Sequence, residues 1–308
     1  MKKIMVGSRG SKLALAQTNL VIEELKRLNS SYSFEVKIIK TKGDLSLNSS
    51  LDKEGGKGLF VKEIEEALIK EEIDLAIHSM KDLPTELPSE LTMAAILPRI
   101  NPKDALISKN GHNLLHLPPR ATVGTSSLRR KVQLLNLRRD LNVVEIRGNL
   151  DTRIKKLKEG SLEAIIVAVC GLIRLNLIKL MTQELPIKAF LPAAGQGALG
   201  IEVRKEDCKI RELAEKVNCL NSQWEVRAER SFLKELGGGC QVPIGVLAQT
   251  KDKMLLIQGM VSSLDGQKVV KDKMIGKKTK AEDLGKELAT RLLNKEANEI
   301  IKELKREG

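Results

Sequence analysis

Apolar residues fall in short runs that alternate with longer stretches of helical period through most of the chain. Residues 3–6 form the first short run, and Gly7-Ser8-Arg9-Gly10-Ser11 reads as a turn. From Ser11, a candidate N-cap, residues Leu13, Gln17, Leu20, Glu24, Leu25 and Leu28 mark successive helical turns. An alternating strand follows at 35–40, then a polar, glycine-rich loop through Lys57, a helix over 60–70 and a strand over 74–78. Strands alternating with helices predict βαβ units and a mostly parallel sheet.

Pro98 and Pro102 bracket a break, after which the same grammar resumes. A strand at 122–123 leads through Gly124-Thr125-Ser126-Ser127 into a helix from Leu128. A strand at 143–146 leads through Arg147-Gly148-Asn149 into a helix from about Leu150, and a strand at 164–169 leads through Cys170-Gly171 into another helix. A second break falls at 191–195, and the apolar run 198–203 reads as a strand returning to the first domain. The last third differs. A helix at 223–236 ends in Gly237-Gly238-Gly239, two or three strands follow at 245–248, 254–261 and 268–273, and an amphipathic helix runs from Ala281 to about Lys305. Asp265-Gly266 is a hairpin-turn pair. The expectation is two α/β domains, residues 1–98 with 198–217 and residues 103–192, followed by an α+β domain over 220–308.

Composition narrows the partners. The 308 residues suit two to three domains. Hydrophobic residues make up 42% and charged residues 30%, which excludes a disordered chain. A net charge of +13 and a pI of about 9.5 favour nucleic acid, anionic lipid or a polyanionic small molecule. A lysine-rich solvated surface accounts for the charge equally well. Four Phe, one Tyr and one Trp leave almost no platforms for base stacking. Arginines recur singly beside Gly, Ser and Thr, an arrangement suited to carboxylates. The four Cys contain no CxxC pair and lie far from the His residues, which argues against a zinc site and against a secreted disulfide framework. Residues 1–6 are too short and polar for a signal peptide, and no apolar run is long enough to span a bilayer. A soluble, cytoplasmic protein is expected.

Two phosphate-binding patterns are decoys. Gly195-Gln196-Gly197-Ala198-Leu199-Gly200 fits GxGxxG, but Pro192 precedes it and a strand, not a helix, follows. Gly55-Gly56-Lys57-Gly58 lacks the Ser or Thr of a P-loop. The informative positions are strand-to-helix junctions: Arg9 with Ser11, then Thr125-Ser126-Ser127 with Arg129 and Arg130, then Arg147 and Arg153. Free backbone N–H groups and the helix dipole favour an anion there. Helix capping and surface ion pairing explain any single one of them; their recurrence in both α/β domains points to a site for several carboxylates. Asp82, beside Lys81 after the strand at 74–78, is either a proton-handling carboxylate or half of a surface ion pair. Cys240, following three glycines, is either an accessible nucleophile or a bystander.

Taken in order along the chain, these motifs resemble the porphobilinogen deaminase (hydroxymethylbilane synthase) family. The resemblance rests on Arg9-Gly10-Ser11-Lys12-Leu13-Ala14, Gly55-Gly56-Lys57-Gly58-Leu59-Phe60, His78-Ser79-Met80-Lys81-Asp82-Leu83-Pro84 and Val123-Gly124-Thr125-Ser126-Ser127-Leu128-Arg129-Arg130. It continues through Arg147-Gly148-Asn149, Leu191-Pro192-Ala193-Ala194-Gly195-Gln196-Gly197 and Gly237-Gly238-Gly239-Cys240-Gln241-Val242-Pro243-Ile244-Gly245. It implies two periplasmic-binding-protein-like α/β domains plus a C-terminal α+β domain. It also implies a dipyrromethane cofactor in thioether linkage to Cys240. Four porphobilinogen molecules would be deaminated and joined head to tail on that primer, and water would then release hydroxymethylbilane.

The resemblance assigns Asp82 the catalytic carboxylate, opposite pyrrole nitrogens that gain positive character. Arg9, Arg147 and Arg153 would lie nearest the reacting end. Lys81, Ser79, Thr125, Ser126, Ser127, Arg129, Arg130 and Arg147 would hold the cofactor's acetates and propionates. Arg9, Ser11, Lys53, Lys57, Phe60, Arg153, Arg174 and Gln196 would meet the substrate or the growing chain. Asp151 and Cys170 depart from the family pattern: the former adds a carboxylate near Arg153, the latter a second thiol. The expected enzyme is a monomer that takes porphobilinogen, binds neither nucleic acid nor membrane, and holds no metal. A two-lobed solute-binding protein and a basic nucleic-acid binder are the competing readings; the first has no use for Cys240, and the second lacks aromatics.

Overall fold

The computed structural model describes residues 2–29, 31–45, 61–237 and 242–307. In chain order, β1 (Lys2–Ser8), α1 (Lys12–Leu28), β2 (Tyr32–Ile38), α2 (Lys42–Leu45), α3 (Lys62–Ile69), β3 (Leu75–Ser79) and β4 (Leu91–Ile96) come first. Then come β5 (Asp104–Ser108), β6 (Thr122–Gly124), α4 (Leu128–Leu137), β7 (Asn142–Val144), α5 (Leu150–Glu159), β8 (Ala164–Ala168), α6 (Val169–Arg174) and β9 (Gln183–Glu184). The rest comprises β10 (Leu199–Arg204), α7 (Cys208–Glu215), α8 (Leu220–Glu235), β11 (Ile244–Lys251), β12 (Met254–Ser262), β13 (Val269–Lys277), α9 (Ala281–Leu292) and α10 (Asn298–Glu307).

One compact unit comprises Met1–Ile100 and Ala198–Gln223. Its five-stranded sheet has the order β2-β1-β3-β10-β4. β1 pairs in parallel with β2 and β3, whereas β10 runs antiparallel to both β3 and β4. The returning strand expected near 198–203 therefore lies inside the sheet. Alternation along the strands feeds two cores. Ile4, Val6, Leu75, Ile201 and Val203 meet α1 and α7 on one face, and Ala76 meets Ile64, Ala67 and Leu68 of α3 on the other. The strand β4 and the helix α7 were not expected from the sequence pattern.

The second unit comprises Asn101–Gly197 and Trp224–Gly308. Its five-stranded sheet has the order β7-β6-β8-β5-β9. β6 is parallel to β7 and β8, and β5 is antiparallel to β8 and β9. Each five-stranded sheet thus has its parallel run interrupted by one reversed strand, the point at which a mostly parallel expectation was incomplete. The three-stranded antiparallel sheet β11-β12-β13 completes this unit. Phe232, Val246, Ile257, Leu288 and Ile300 belong to the core that α8, α9 and α10 make with it.

The expected hairpin turn explains how the small sheet joins the larger one within this unit. Gly266 has φ +72°, and a Cβ there would sit 2.6 Å from the Val132 carbonyl oxygen on α4. Asn136 of α4 donates to the Gly266 carbonyl at 3.2 Å. Val132 also packs with Leu191, Leu247 and Met260. Only glycine meets both demands, left-handed backbone and close approach.

The last helix is not continuous. Buried positions step by three or four from Ala281 to Leu292, and then jump five to Ala297 before Ile300 and Ile301. Lys295, with φ −90° and ψ −141°, is the non-helical residue that takes up the extra position between α9 and α10.

Candidate active site

In the first unit, β1 ends at Ser8, whose hydroxyl accepts from Thr18 Oγ1 at 2.8 Å and ties the strand end to α1. Arg9 follows, half-buried. Ser11 caps α1, its Oγ accepting from the Ala14 amide at 3.2 Å. Ser79 closes β3, and a single 3-10 turn carries Met80, Lys81 and Asp82. The Met80 amide donates to the Ala198 carbonyl at 3.1 Å, Lys81 is half-buried, and Asp82 is exposed. This unit therefore presents a carboxylate on a short, anchored turn, available to a ligand. Lys53, Lys57 and Phe60 lie outside the described residues.

In the second unit Arg129, Arg130, Arg147 and Arg153 lie where β6 and β7 give way to α4 and α5, and Arg174 ends α6. Ser127 caps α4, accepting from the Arg130 amide at 3.4 Å. Thr125 Oγ1 accepts from the Ser127 amide at 3.2 Å, and Ser126 donates to the Ile146 carbonyl. Arg129 and Arg130 are both buried and both turn onto Asp104. Arg129 Nη1 lies 2.6 Å from Asp104 Oδ2, and Arg130 Nη2 lies 2.7 Å from Oδ1. Their remaining bonds go to the carbonyls of Leu191 and Ile166. Gln196 Nε2 completes the cage, donating to Asp104 Oδ1 at 3.0 Å and to the Pro102 carbonyl at 2.6 Å. Burial opposes ionisation of Asp104; Arg129 and Arg130 outweigh it and hold the carboxyl well below the usual carboxylate range.

Two further arginines stand beyond Asp104's balance. Arg153 Nε donates to the Gly148 carbonyl at 2.7 Å, and burial followed by repulsion from Arg130 lowers its pKa. Arg174 donates through Nη2 to the Gly197 carbonyl at 2.8 Å. Its Nε and Nη1 are buried with no hydrogen-bond partner among the described residues. Burial lowers its pKa as well, an effect partly offset by Cys170. Arg147 reaches Glu145 at 2.8 Å. Arg153 and Arg174 are desolvated positive charges, Arg174 with two unfilled donors among the described residues, the condition that a carboxylate relieves.

Cys240 also lies outside the described residues; the chain is described again from Val242. Among the described cysteines, Cys170 is buried, Cys208 exposed and Cys219 intermediate. No group of three or more His, Cys, Asp or Glu residues among those described could hold a metal ion.

Sequence reasoning passed over Asp104 and Glu229. Asp104 heads the apolar run of β5 directly after the Pro102 break, and that isolation is its signal. Glu229 is fully buried on the apolar stripe of α8 that includes Val226 and Phe232. Its carboxylate accepts from the Gly195 amide at 2.6 Å and the Ala248 amide at 2.8 Å. It thereby fixes the Pro192–Gly197 segment, where Gly195 has φ +71°, against the small sheet.

Residues 4–212 match the family model described as porphobilinogen deaminase, dipyromethane cofactor binding domain. Residues 224–294 match the porphobilinogen deaminase C-terminal domain. The porphobilinogen deaminase of Shouchella clausii (strain KSM-K16) is 50% identical over 309 residues, covering 100% of this chain and 99% of the relative. The chain belongs to the porphobilinogen deaminase family. A second porphobilinogen deaminase, from Desulforudis audaxviator (strain MP104C), is 47% identical over 300 residues, with 97% of each chain covered. Among solved structures, a TRAP periplasmic solute binding protein from Desulfovibrio salexigens is 10% identical, with TM-score 0.43, covering 72% of this chain and 74% of that one. Porphobilinogen deaminase membership makes dipyrromethane the expected cofactor. A polycarboxylate of that kind fits the second unit's chemistry, because Arg174's empty donors and the desolvated Arg153 call for negative charge.

Proposed function

We propose that the protein is a hydroxymethylbilane synthase: it deaminates porphobilinogen and joins the units head to tail into the linear tetrapyrrole of haem biosynthesis. Family membership along the full chain supports this reading. The structural observation that carries it is the presence of desolvated arginines in the second unit, most of all Arg174 with two buried donors unfilled among the described residues. When bound, the dipyrromethane supplies the pyrrole terminus on which the chain grows, and Cys240 is its proposed anchor. Lys81, Ser79, Thr125, Ser126 and Ser127 are proposed to hold its carboxylates by hydrogen bonds; Arg129 and Arg130, expected to join them, are buried and closed on Asp104, and are proposed to contribute positive charge behind them. Arg9, Ser11, Arg147, Arg153 and Arg174, with Lys53, Lys57 and Phe60, are proposed to orient the acetate and propionate of the incoming unit; Gln196, expected among them, is fully buried against Asp104 and is proposed to act only by holding that cage. Asp82, exposed on its turn, is proposed to stabilise positive charge developing on a reacting pyrrole nitrogen and to take up its proton.

The three-domain partition, residues 1–98 with 198–217, 103–192 and 220–308, belongs to the same proposal, as do a cytoplasmic location and a monomeric state. No helix among the described residues is long and apolar enough to cross a membrane.

Intact-mass measurement tests the reading. Protein purified from cells able to make porphobilinogen is expected to exceed its sequence mass by two pyrrole units, and Cys240→Ser is expected to show none. A folded wild-type chain at the unmodified mass would overturn it. Asp82→Asn is expected to keep the added mass and lose most turnover; normal steady-state rates in that variant would remove Asp82 from its role.

A further inference from the structure

Three titratable side chains are buried together in the first unit, apart from the residues so far assigned a role. His78 lies on β3, Glu202 on β10 and Glu65 on α3, and all three are buried. In the antiparallel pair of β3 and β10, Gly200 stands opposite His78 and Glu202 opposite Ala76. Side chains at 76, 78, 200 and 202 therefore share one face, the face that α3 covers. His78 Nε2 sits 2.9 Å from Glu202 Oε2. Glu65 Oε1, both carboxylate oxygens of Glu202 and His78 Nε2 have no hydrogen-bond partner among the described residues, so His78 and Glu202 meet in a close contact and not an aligned hydrogen bond.

Two carboxylates and one imidazole in a closed space cannot all carry charge at low cost. The neighbouring elements bring little relief. β1 contributes Gly7 and Met5, and β4 contributes Met93 and Leu91. Arg204 on β10 directs its guanidinium to the Leu68 and Ile73 carbonyls and to Asp74 and Asp207. Glu63 on α3 accepts from the Lys42 amide at 3.1 Å and keeps its other oxygen buried, adding acid rather than base. Lys62, Glu66 and Lys70 on the same helix are exposed. Glu65 is accordingly pushed up to about 7, first by burial and then by Glu202, with His78 acting in the opposite sense.

The link from these groups to the Asp82 turn is Met80. A Cβ on Gly200 would collide with the sulfur atoms of Met80 and Met93, so those side chains close over the strand position opposite His78. Met80 opens the 3-10 turn that ends at Asp82. We propose that Glu65, His78 and Glu202 act as one buried group that positions the Ser79–Asp82 turn: with Glu65 protonated beside the His78–Glu202 contact the turn is held, and loss of the Glu65 proton releases it. Glu65, His78 and Glu202 are positioning residues, acting through Met80. The proposal rests on the reading of Asp82 as the reacting carboxylate.

The test uses the cofactor-loaded enzyme. Infrared spectra at neutral pH are expected to show a protonated carboxyl in the wild type that is missing in Glu65→Gln. The alkaline limb of the wild-type kcat profile is expected near pH 7 and is expected to move up by about one unit or more in Glu65→Gln, with KM little changed. Hydrogen exchange over residues 79–83 of the wild type, corrected for intrinsic rate, is expected to lose protection as pH passes through 7; this arm needs no variant to fold. Superimposable kcat profiles, or exchange that follows intrinsic rates alone, would overturn the proposal. The infrared and exchange readings require no turnover, so their failure is separate from a failure of the Asp82→Asn test.

Discussion

Asp104 balances two guanidinium groups in a space closed to water, and the balance makes it sensitive to a one-atom change. Asp104→Asn would leave Arg129 and Arg130 buried without a counter-charge, so a loss of about 3–5 kcal/mol is expected in urea unfolding. The folded state holds this carboxyl ionised. Its stabilisation is present above the ordinary value of 3.8 and is lost as pH falls towards the lower folded value. Glu65 has the opposite sign. Its folded value of about 7 lies above the ordinary 4.5, so its contribution is complete below 4.5 and disappears as pH rises through 7. Unfolding at pH 5 and pH 8 is expected to show wild type losing on the order of 2 kcal/mol relative to Glu65→Gln. At this scale the sequence displayed the arginines and Asp82 openly, because motif spacing puts them at strand-to-helix junctions. It did not display Asp104 as their partner, because 25 residues separate it from Arg129.

Elements owe their limits to local signals and their packing to distant ones. Ser11 and Ser127 sit where the sequence placed helix starts, and both cap as expected. Ser127→Ala is expected to cost about 1 kcal/mol through the lost cap. Gly285 on α9 shows the distant kind of constraint: a Cβ there would run into the Ala228 carbonyl and approach the Phe232 amide at 3.0 Å, both on α8. Gly285→Ala is expected to destabilise by at least about 2 kcal/mol, with thermal unfolding as the check, because backbone of a packed helix must move. Nothing in the residues flanking Gly285 announces this, since the obstacle comes from another helix. The break at Lys295 was legible in principle. The five-residue step from Leu292 to Ala297 carries it, although a single continuous helix fits the overall amphipathic pattern nearly as well.

For the whole molecule, the net charge of +13 and the buried arginines act on different ranges. Surface charge draws an anionic substrate from solution and is screened beyond about 8 Å at physiological salt. Desolvated guanidinium groups grip carboxylates at contact and are screened much less. Raising salt from about 0.05 M to about 0.5 M is therefore expected to raise KM for porphobilinogen several-fold with little change in kcat. A fall in kcat of similar size would instead place the salt-sensitive step after binding.

By itself the sequence determined the alternation of strands and helices, the Asp265-Gly266 hairpin turn of the C-terminal third, the helix caps and the family. Periodicity, capping and motif order are carried by residues close together in the chain. Only the tertiary structure decided that β10 and β5 run antiparallel within otherwise parallel sheets, that Arg129 and Arg130 close on Asp104, and that Glu65, His78 and Glu202 share one buried face. Those outcomes depend on which distant segments meet. A strand's pattern tells which side is apolar, not which strand lies beside it, and a buried charge is stable only with partners that folding alone brings within reach.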